Sequence, residues 1–369
     1  MAQVPSWLAG SCLQVDHFVG LDGGHYDARM PRSLRNVDVA LRRAWHPLCR
    51  SNEVSDLPRS FVLMNERYVA YRSPEGELRV FHDRCPHRFA PLSLGQCEGA
   101  TLRCAYHGWV FDAGGRCVEI PSMGPDATVP PRAQLSGPFA SAESHGMVFV
   151  APEEPLTPLP SVDVDADPSF ARGDLEPIVT RANAGLLADN FLDMAHFAFV
   201  HTGTFGAGEA TAVGDYSVER DGFTFSAVYE HDFANREDPG VLEGVRPLIQ
   251  RRRLTYRYVA PYHLELALDF IDVGGTNVIG FFLVPMDDET VTIYSSIWRN
   301  DLGDSVERLA DAVAFEVAVV NEDLALQSRY HDLALPLDLR SEVHVKADKT
   351  TVELRRILRD LIDAADPQS

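Results

Sequence analysis

The sequence lacks long hydrophobic runs, an excess of basic residues and a basic, apolar leader at its start. No run of eighteen apolar residues occurs among the 369, so a membrane-spanning helix is not expected. Lys and Arg total 33 against 54 Asp and Glu, a net charge of −21, which argues against binding to nucleic acid or to an anionic membrane surface. The first twenty residues contain no Lys or Arg and no long apolar core, so they do not predict a signal peptide.

Two further absences concern redox chemistry. No G-x-G-x-x-G follows a strand-like run, so a nicotinamide or flavin site is not expected on this chain. Any chemistry of NAD(P)H must therefore lie on a separate protein. The cysteines also lack the spacing of a disulfide framework; they are Cys12, Cys49, Cys85, Cys97, Cys104 and Cys117.

Two short loops each carry one Cys and one His. The pattern is Cys85-x-His87 followed by Cys104-x2-His107, with sixteen residues between His87 and Cys104. A zinc finger places two Cys in one arm and two His in the other. The mixed arms here suit a [2Fe–2S] cluster in which two Cys hold one iron and two His hold the other. Structural zinc, or four unrelated buried residues, are the alternatives. An iron–sulfur protein with this cysteine usage is expected in the reducing cytoplasm.

A second group of candidate ligands lies in a helix predicted over residues 182–200. Asp193 and His196 are three residues apart, so they share a face of that helix. His196 and His201 are five apart, which turns them about 140° from each other on an ideal helix. Both can reach one metal only if the helix distorts or ends between them, so we predict a π-bulge or a break near Ala198.

Two His and one carboxylate form the facial triad of non-haem Fe(II) oxygenases, which leaves positions open for O₂. The carboxylate must come from elsewhere in the fold, and Asp323 is the best candidate, with Glu322 second. Both lie in an apolar helical stretch, AFEVAVVNEDLAL, a costly placement unless they are solvated, paired or bound to metal. Asn190, one turn before Asp193, is a further candidate. An Asp-x-x-His pair on a helix is otherwise commonly a surface ion pair.

The chain divides into three predicted parts. Residues 1–40 form an irregular N-terminal arm, and short β-rich runs with turn signals form an all-β domain over residues 41–155. A Pro- and Asp-rich linker opens the remainder, residues 156–369, where alternating runs such as YSVERDGFTFSAVYEH predict antiparallel strands. A long helix with Asp304 as its N-cap and a final helix over Thr351–Ala364 follow.

Taken together, the chain is similar to the terminal oxygenase (α) subunits of the Rieske non-haem iron oxygenases, in the vanillate O-demethylase and dicamba monooxygenase group. The resemblance covers about residues 41–365. It implies an α+β fold: an N-terminal all-β Rieske [2Fe–2S] domain, then a helix-grip catalytic domain of antiparallel sheet plus helices. The motifs that carry it are Cys85-x-His87, Cys104-x2-His107, Asn190-x2-Asp193-x2-His196-x4-His201 and Asn321-Glu322-Asp323-x3-Gln327.

The resemblance also implies a homotrimer, in which the cluster of one subunit passes electrons to the iron of its neighbour. His107 would hydrogen-bond Asp193 across the interface, and Asp193 would contact His196. Asp193 and Asn190 are therefore the expected catalytic residues beside the metals. The implied ligands are, for the [2Fe–2S] cluster, Cys85, His87, Cys104 and His107 and, for the mononuclear Fe(II), His196, His201 and Asp323.

The expected function is that of the oxygenase component of a Rieske monooxygenase. It would use O₂, with electrons from a separate NAD(P)H-dependent reductase or ferredoxin, to hydroxylate or oxidatively demethylate a small organic substrate, aromatic or a natural product. The alternatives are a ring-hydroxylating dioxygenase that forms cis-diols and a non-catalytic Rieske electron carrier.

Two interpretations are open for each of two groups of arginines. The run Arg251-Arg252-Arg253 either binds an acidic substrate or marks an exposed strand end. The other group lies near the cluster and is either a docking patch for the electron donor or scattered solvated surface; it comprises Arg84, Arg88, Arg103 and Arg116.

Overall fold

The computed structural model describes residues 32–126, 128–206, 211–236 and 238–366. In its first half, the chain forms short strands separated by turns. These strands are β1 Ser33–Leu34, β2 His46–Arg50, β3 Arg59–Leu63, β4 Glu66–Arg72, β5 Leu78–His82, β6 Gln96–Glu98, β7 Thr101–Arg103, β8 Val110–Phe111, β9 Cys117–Glu119, β10 Ala140–Ser144 and β11 Met147–Ala151.

Most of these strands form small antiparallel sheets, as predicted for an all-β region. Within the described residues the strand orders are β3-β4-β5, β6-β7-β8-β9 and β10-β11-β2. The first two sheets enclose a small apolar core of their own, which includes Tyr71, Leu92, Leu102 and Phe111. Cys85 and Cys104 lie in that core, so both predicted thiol ligands are shielded from water.

The second half contains longer strands and all the α-helices assigned in the described residues. The strands are β12 Ala171–Asp174, β13 Ile178–Arg181, β14 Ser217–Asp221, β15 Thr224–Ala234, β16 Ile249–Val259, β17 His263–Phe270, β18 Thr276–Pro285, β19 Thr290–Arg299 and β20 Leu335–Pro336. The helices are α1 Ala184–Leu192, α2 Phe197–Val200, α3 Pro239–Leu242, α4 Val306–Gln327 and α5 Lys349–Ala365.

One antiparallel sheet organises this half. Its strand order in the described residues is β12-β19-β18-β17-β16-β15-β14, with β13 also paired to β19. Along β16, buried and exposed residues alternate almost strictly, as the two-residue period of a half-exposed strand requires. Strands β17 to β19 are buried on both faces. The α+β class predicted from the sequence is therefore confirmed.

The long helix begins one residue later than predicted. Ser305, not Asp304, is the N-cap of α4, because its hydroxyl accepts a hydrogen bond from the Arg308 N–H (3.2 Å). The final helix, α5, runs slightly beyond the predicted Thr351–Ala364 at both ends. None of the described helices is both long enough and apolar enough to cross a membrane.

Arg50 connects the first half of the chain to the large sheet. Its guanidinium is buried, donates to the carbonyls of Leu175 (2.7 Å) and Ser295 (2.9 Å), and pairs with Asp174 (2.6 Å). A buried cation is tolerated only when its donors are satisfied in this way. Strands β2 and β11 also share their apolar core with the large sheet. Because the two halves of the chain share this core, the domain boundary predicted at residue 155 stays a prediction.

The described end of the predicted N-terminal arm supports α1, while residues 1–31 lie outside the described residues. Strand β1 pairs with β20. Asn36, which is buried, accepts a hydrogen bond from the Ala184 N–H (2.8 Å) and donates to the Ala182 carbonyl (2.9 Å). These two bonds fix the start of the helix that leads to the predicted iron ligands.

His145 makes the fold sensitive to acid. It lies in the turn between β10 and β11 with φ +37°, and its buried ring contacts those of Phe149, His263 and Phe282. Burial lowers the pKa of His145 from 6.5 to about 4. The unfolded chain therefore binds more protons between these values, and the free energy of unfolding falls as the pH drops through them, by roughly 3 kcal/mol in full.

We predict that His145→Asn flattens this part of the pH dependence. Asn tolerates a positive φ and does not titrate. Urea unfolding at several pH values between 4 and 7 measures the slope, which should decrease even though the variant is less stable overall. The same substitution at the exposed His331 is the control and should follow the wild type. An unchanged slope in His145→Asn would show that the imidazole does not titrate as we expect.

Candidate metal centres

The helix leading to the predicted iron ligands ends earlier than expected. It stops at Leu192, and Asp193 has an extended backbone (φ −80°, ψ 138°). The Asp193 carboxylate accepts hydrogen bonds from the N–H groups of Ala195 (2.9 Å) and His196 (3.2 Å), a local turn that competes with helix continuation. The predicted break near Ala198 is therefore wrong. Ala198 lies inside α2, and the interruption precedes His196.

His196 and His201 lie at the two ends of α2, and their rings converge. The Nε2 atoms are 3.0 Å apart. Asp323, from α4, places Oδ1 3.5 Å from His196 Nε2 and 3.4 Å from His201 Nε2. One donor atom from each residue lies within 4.8 Å of the others. The structure thus brings together the three residues predicted to hold iron, although 122 positions separate His201 from Asp323.

A carboxylate fixes the far side of each imidazole. Asp193 Oδ2 lies 3.1 Å from His196 Nδ1, and Glu322 Oε2 lies 3.0 Å from His201 Nδ1. Glu322 is itself held by the Thr204 hydroxyl (2.7 Å) and the Gly203 N–H (3.1 Å). Carboxylates in this position orient ligating histidines and select the tautomer that presents Nε2. Glu322, the second candidate for the acidic ligand, therefore supports His201 instead of joining the converging donors.

The electrostatics of the triad favour a bound cation. Burial opposes charge on His196, but hydrogen bonds to Asp193 and Asp323 outweigh it and raise the pKa to about 9. Burial also opposes charge on Asp323, but its interactions with His196 and His201 dominate and lower the pKa to about 2. Without metal, a proton on His196 is thus stabilised by two carboxylates. A divalent cation can replace that proton, because metal binding requires neutral imidazole.

Helix α1 is held against α5 close to this centre. Asp189 forms two hydrogen bonds with the buried guanidinium of Arg355, and the Thr350 hydroxyl donates to the Leu192 carbonyl (2.7 Å). The next residue after Asp189, Asn190, donates from Nδ2 to Asp323 Oδ1 (3.3 Å). Asn190 therefore contacts the oxygen that faces both histidines, and its catalytic role stays a prediction.

The triad opens into a largely apolar cavity between the large sheet, α1 and α4. The sheet contributes alternate residues of β17 and β18, because only every second side chain faces the cavity. A few polar residues interrupt the apolar walls. The lining includes Leu187, Phe191, Phe205, Phe233, Leu266, Leu268, Phe270, Ile279, Phe281 and Val320, together with the polar Asn235, Arg252, Asn277 and Glu316.

Strand alternation divides the three arginines of β16. Arg251 and Arg253 are exposed and pair with Glu230 (3.0 and 2.9 Å). Arg252 faces the other way and lies buried in the cavity wall. The interpretation of this run as an exposed strand end therefore fits Arg251 and Arg253 but not Arg252.

The loops with the predicted cluster ligands also bring their side chains together. Cys85 and Cys104 are buried side by side, and the rings of His87 and His107 are 4.5 Å apart between centroids. The indole of Trp109 stacks on His87 at 4.5 Å. The loops approach closely at Gly95, where a Cβ would lie 2.3 Å from the Arg103 carbonyl oxygen.

These four side chains fit a cluster with two sulfur and two nitrogen ligands. Burial raises the pKa of the Cys85 thiol to about 11, against the opposing backbone N–H groups of His87 and Arg88, and the neighbouring Cys104 adds to the rise. A thiol whose pKa is raised in this way ionises only beside a strong positive charge, which a bound iron would supply. His87 Nδ1 is buried and has no partner among the described residues, as expected for a nitrogen reserved for a metal.

The arginines near the cluster differ in their surroundings. Arg103 bonds Glu98 (2.7 and 2.8 Å) and the Gly108 carbonyl (3.0 Å), so it braces the second loop. Arg84 stacks over the ring of Phe89 (3.6 Å). The remaining two, Arg88 and Arg116, are exposed, and the docking patch stays a prediction.

Comparison with known families agrees with both centres. Residues 44–134 match the Rieske [2Fe–2S] domain, and residues 180–364 match the vanillate O-demethylase oxygenase C-terminal domain. The second match covers half of the chain.

The chain belongs to the Rieske non-haem iron oxygenases. It is an oxygenase component with a [2Fe–2S] cluster and a mononuclear non-haem iron as cofactors, and it acts on a small organic substrate with O₂ and electron-transfer partners. The predicted order of a Rieske domain followed by a catalytic domain is thereby confirmed.

Characterised relatives align over most of this Rieske oxygenase. Methylxanthine N1-demethylase NdmA of Pseudomonas putida is 28% identical over 332 residues, 88% of this chain and 90% of that protein. Methylxanthine N3-demethylase NdmB of the same organism is 28% identical over 344 residues, 87% and 89% of the two chains.

Solved structures show the same fold. NdmA with caffeine superposes with a TM-score of 0.75 at 27% identity, over 88% of this chain and 92% of that one. Dicamba monooxygenase bound to dicamba gives a TM-score of 0.72 at 21% identity, over 88% and 98%. At that identity, the dicamba enzyme supports the fold alone.

The structure adds residues that the sequence did not single out. Thr204 holds the carboxylate behind His201, and Arg355 anchors α1. Thr204 lies only three residues after His201, but nothing in the local sequence distinguishes it from an ordinary loop threonine. Arg355 lies 166 positions from Asp189, and only the folded chain pairs them.

We predict that Glu322→Gln weakens binding of the mononuclear iron. A Gln side chain cannot accept the three hydrogen bonds that both carboxylate oxygens accept here, so His201 loses its fixed orientation. Loss of such a support typically costs roughly ten- to a hundredfold in metal affinity. Anaerobic titration of Fe(II) into protein stripped of its mononuclear iron measures the change.

The same substitution at Glu307, exposed in the first turn of α4, is the matched control and should retain wild-type affinity. The visible absorption of the cluster should be unchanged in both variants. Wild-type iron affinity in Glu322→Gln would show that Glu322 does not position the ligand.

Proposed function

We propose that this Rieske oxygenase is a monooxygenase that hydroxylates or oxidatively demethylates its substrate, at an iron held by His196, His201 and Asp323. The observation that carries the proposal is the convergence of these three donors on the wall of an apolar cavity. The match to two N-demethylases over most of the chain favours demethylation. In that reaction an N-methyl or O-methyl carbon is hydroxylated, and the unstable carbinol loses formaldehyde.

The protein's own residues have separate tasks in this proposal. When bound, the cluster on Cys85, His87, Cys104 and His107 supplies single electrons and the ferrous ion activates O₂. Asp193 and Glu322 keep His196 and His201 aimed at one point, and Asn190 holds the facing oxygen of Asp323. The apolar walls exclude water, which strengthens the electrostatic interactions of the centre.

The two centres are proposed to meet between subunits of a homotrimer. His107 is exposed, and the hydrogen bonds of the Asp193 carboxylate within the described chain go to Ala195 and His196. Large aromatic side chains are exposed near both sites. They are Phe89 (61%) and Tyr106 (64%) beside the cluster and Phe199 (69%) beside the iron ligands. Exposed aromatics of this kind are typical of protein interfaces.

A separate NAD(P)H-dependent reductase or ferredoxin is proposed as the electron donor, and the cytoplasm as the location. The electron donor would bind near the exposed Arg88 and Arg116, where positive charge suits an acidic partner on an otherwise acidic protein. None of the five described cysteines forms a disulfide, which suits a reducing compartment.

Iron analysis and product analysis together test the proposed function. We expect three irons per chain, and with a surrogate reductase we expect substrate-dependent release of formaldehyde or an alcohol carrying one atom of ¹⁸O from labelled O₂. His196→Ala should lose turnover and one iron while keeping the absorption of the cluster. Two irons per chain would indicate an electron carrier, and a cis-diol carrying both atoms of O₂ would indicate a dioxygenase.

We predict that Asp193→Asn slows electron transfer while the protein keeps its cluster and most of its mononuclear iron. Asn keeps the shape of the side chain but removes the charge that would link His107 of one subunit to His196 of the next. Stopped-flow oxidation of the reduced cluster, with substrate and O₂ present, measures the rate. The variant must retain the wild-type mass in solution. A wild-type rate would show that Asp193 is not the bridge.

A further inference from the structure

A buried chain of polar side chains ends in the wall of the catalytic cavity. Its members Asp238, Gln250 and Asn235 are 6%, 3% and 6% exposed, respectively. Asp238 Oδ2 accepts a hydrogen bond from Gln250 Nε2 (2.7 Å), and Gln250 Oε1 accepts one from Asn235 Nδ2 (2.8 Å). Asn235 lines the same cavity as the triad. The chain therefore connects the interior of the fold to the space in which the substrate is proposed to bind.

The Asp238 carboxylate is ionised, so it can only accept hydrogen bonds. Burial opposes its charge, but hydrogen bonds from Gln250, the Gly240 N–H and Arg246 outweigh this effect and lower the pKa. Arg246 Nη1 lies 2.8 Å from Asp238 Oδ1, so the charge of the carboxylate is paired. Because an ionised carboxylate has no proton to donate, the part of Gln250 that faces Asp238 must be its NH₂ group.

The orientation of both amides follows from this carboxylate. Gln250 Nε2 also donates to the Pro247 carbonyl (3.3 Å), which likewise only accepts. With its NH₂ group turned to these acceptors, Gln250 presents Oε1 to Asn235, and the nearer group of Asn235 must then be its own NH₂. Asn235 Oδ1 consequently points away from Gln250. A hydrogen-bond network of this kind permits only one orientation of each amide.

Asn235 Oδ1 has no hydrogen-bond partner among the described residues, within which this side chain bonds through Nδ2 alone. The neighbouring cation, Arg236, donates instead to the carbonyls of Thr204 (2.6 Å) and Gly206 (3.4 Å). An acceptor that stays unsatisfied after water is excluded costs free energy. A substrate that displaces water from the cavity must therefore supply a hydrogen-bond donor to this oxygen.

This oxygen lies at the end of the cavity remote from the iron ligands. His231 and Phe233 of β15 and Asn235, which directly follows it, are alternate residues, so they lie in a row on one face. The His231 ring is 6.0 Å from that of Phe197, the neighbour of His196, and Asn235 is roughly 13 Å further along the strand. Asn235 also borders a second depression that adjoins the cavity. A molecule with one or two rings can therefore extend from the triad to Asn235.

We propose that Asn235 is a specificity-determining residue, whose Oδ1 accepts a hydrogen bond from an N–H or O–H group at the end of the substrate remote from the carbon that is oxidised. Gln250 and Asp238 are positioning residues that hold this oxygen toward the cavity. The proposal rests on the proposed function, because it takes the cavity as the substrate site. The acceptor is a neutral amide, so the donor needs no charge. The substrates of this oxygenase are accordingly molecules of one or two rings that carry a phenol, an alcohol or an N–H group.

Pairs of probes that differ only in the donor test this assignment. 4-Methoxyphenol and 4-methylanisole have one ring, and 6-methoxy-2-naphthol and 2-methoxy-6-methylnaphthalene have two; within each pair a methyl group of similar size replaces the hydroxyl group. Equilibrium dialysis against the oxidised holoprotein, without reductase and hence without turnover, gives their dissociation constants. The readout is the dissociation constant of the methyl probe divided by that of the hydroxyl probe. The different hydrophobicity of the two probes cancels when this ratio is compared between variants.

Removal of the Asn235 oxygen should lower this ratio. We expect a fall of roughly ten- to a hundredfold in Asn235→Leu, because the hydroxyl group of the probe is then left without a partner. Asn235→Ala removes the same oxygen without adding a large apolar side chain and should change the ratio in the same direction. Gln250→Leu, which releases the Asn235 amide, should lower it by less. Asn52→Leu, at an exposed position in the first half of the chain, is the control and should retain the wild-type ratio. The thermal midpoint and the absorption of the cluster establish that each variant is folded.

Failure of this inference can be distinguished from failure of the proposed function. An unchanged ratio in the Asn235 variants, or no binding of any of the four probes to the wild type, would overturn the inference. Formaldehyde release from the four ethers with a surrogate reductase reports on the function separately. A ratio that depends on Asn235 supports the inference even when none of the ethers is demethylated, whereas demethylation without this dependence supports the function alone.

Discussion

Two hydrogen bonds, each donated by an imidazole N–H to a carboxylate, hold the proposed iron ligands in place. Asp193 fixes His196 from a turn that ends α1, and Glu322 fixes His201 from the C-terminal part of α4. Each bond reaches the ring nitrogen that points away from the centre, so both Nε2 atoms face Asp323. Without these bonds, each imidazole could rotate about its side-chain torsions, and a three-donor site would lose its geometry.

Helix α4 carries three acidic residues with different positions in the site. Glu322 supports His201, Asp323 is the proposed acidic iron ligand, and Glu316 lies two turns away in the cavity wall. Adjacent residues of a helix point about 100° apart, which is why Glu322 and Asp323 reach opposite sides of the same imidazole group. The seven-residue spacing returns Glu316 to the face of Asp323. The rigidity of the helix thus fixes the distance between the proposed iron and the Glu316 side chain.

The remainder of the fold keeps this helix and α1 in place. Arg355 and Thr350 attach α1 to α5, and Asn36 fixes its first residue. Arg50 attaches the β-rich first half to the large sheet through two carbonyls and a carboxylate. All of these anchors are buried polar groups, whose satisfied partners specify one arrangement more strictly than apolar packing alone. The metal centres are therefore supported by contacts between segments that are distant in the sequence.

The residue types and local spacings of the chain, together with the family resemblance that they carry, predicted both groups of proposed metal ligands, the α+β class and the order of the two domains. Those properties depend on the chemistry of side chains and on periods of a few residues, which are visible in any stretch read alone. The position of the helix break was predicted wrongly, because it depends on whether Asp193 bonds to its own backbone. Only the tertiary structure decided the support of His201 by Glu322, the burial of Arg252 between two exposed arginines and the position of Glu316 in the cavity wall. Each of them requires a particular face of one strand or helix to meet another segment, and long-range packing alone selects that face.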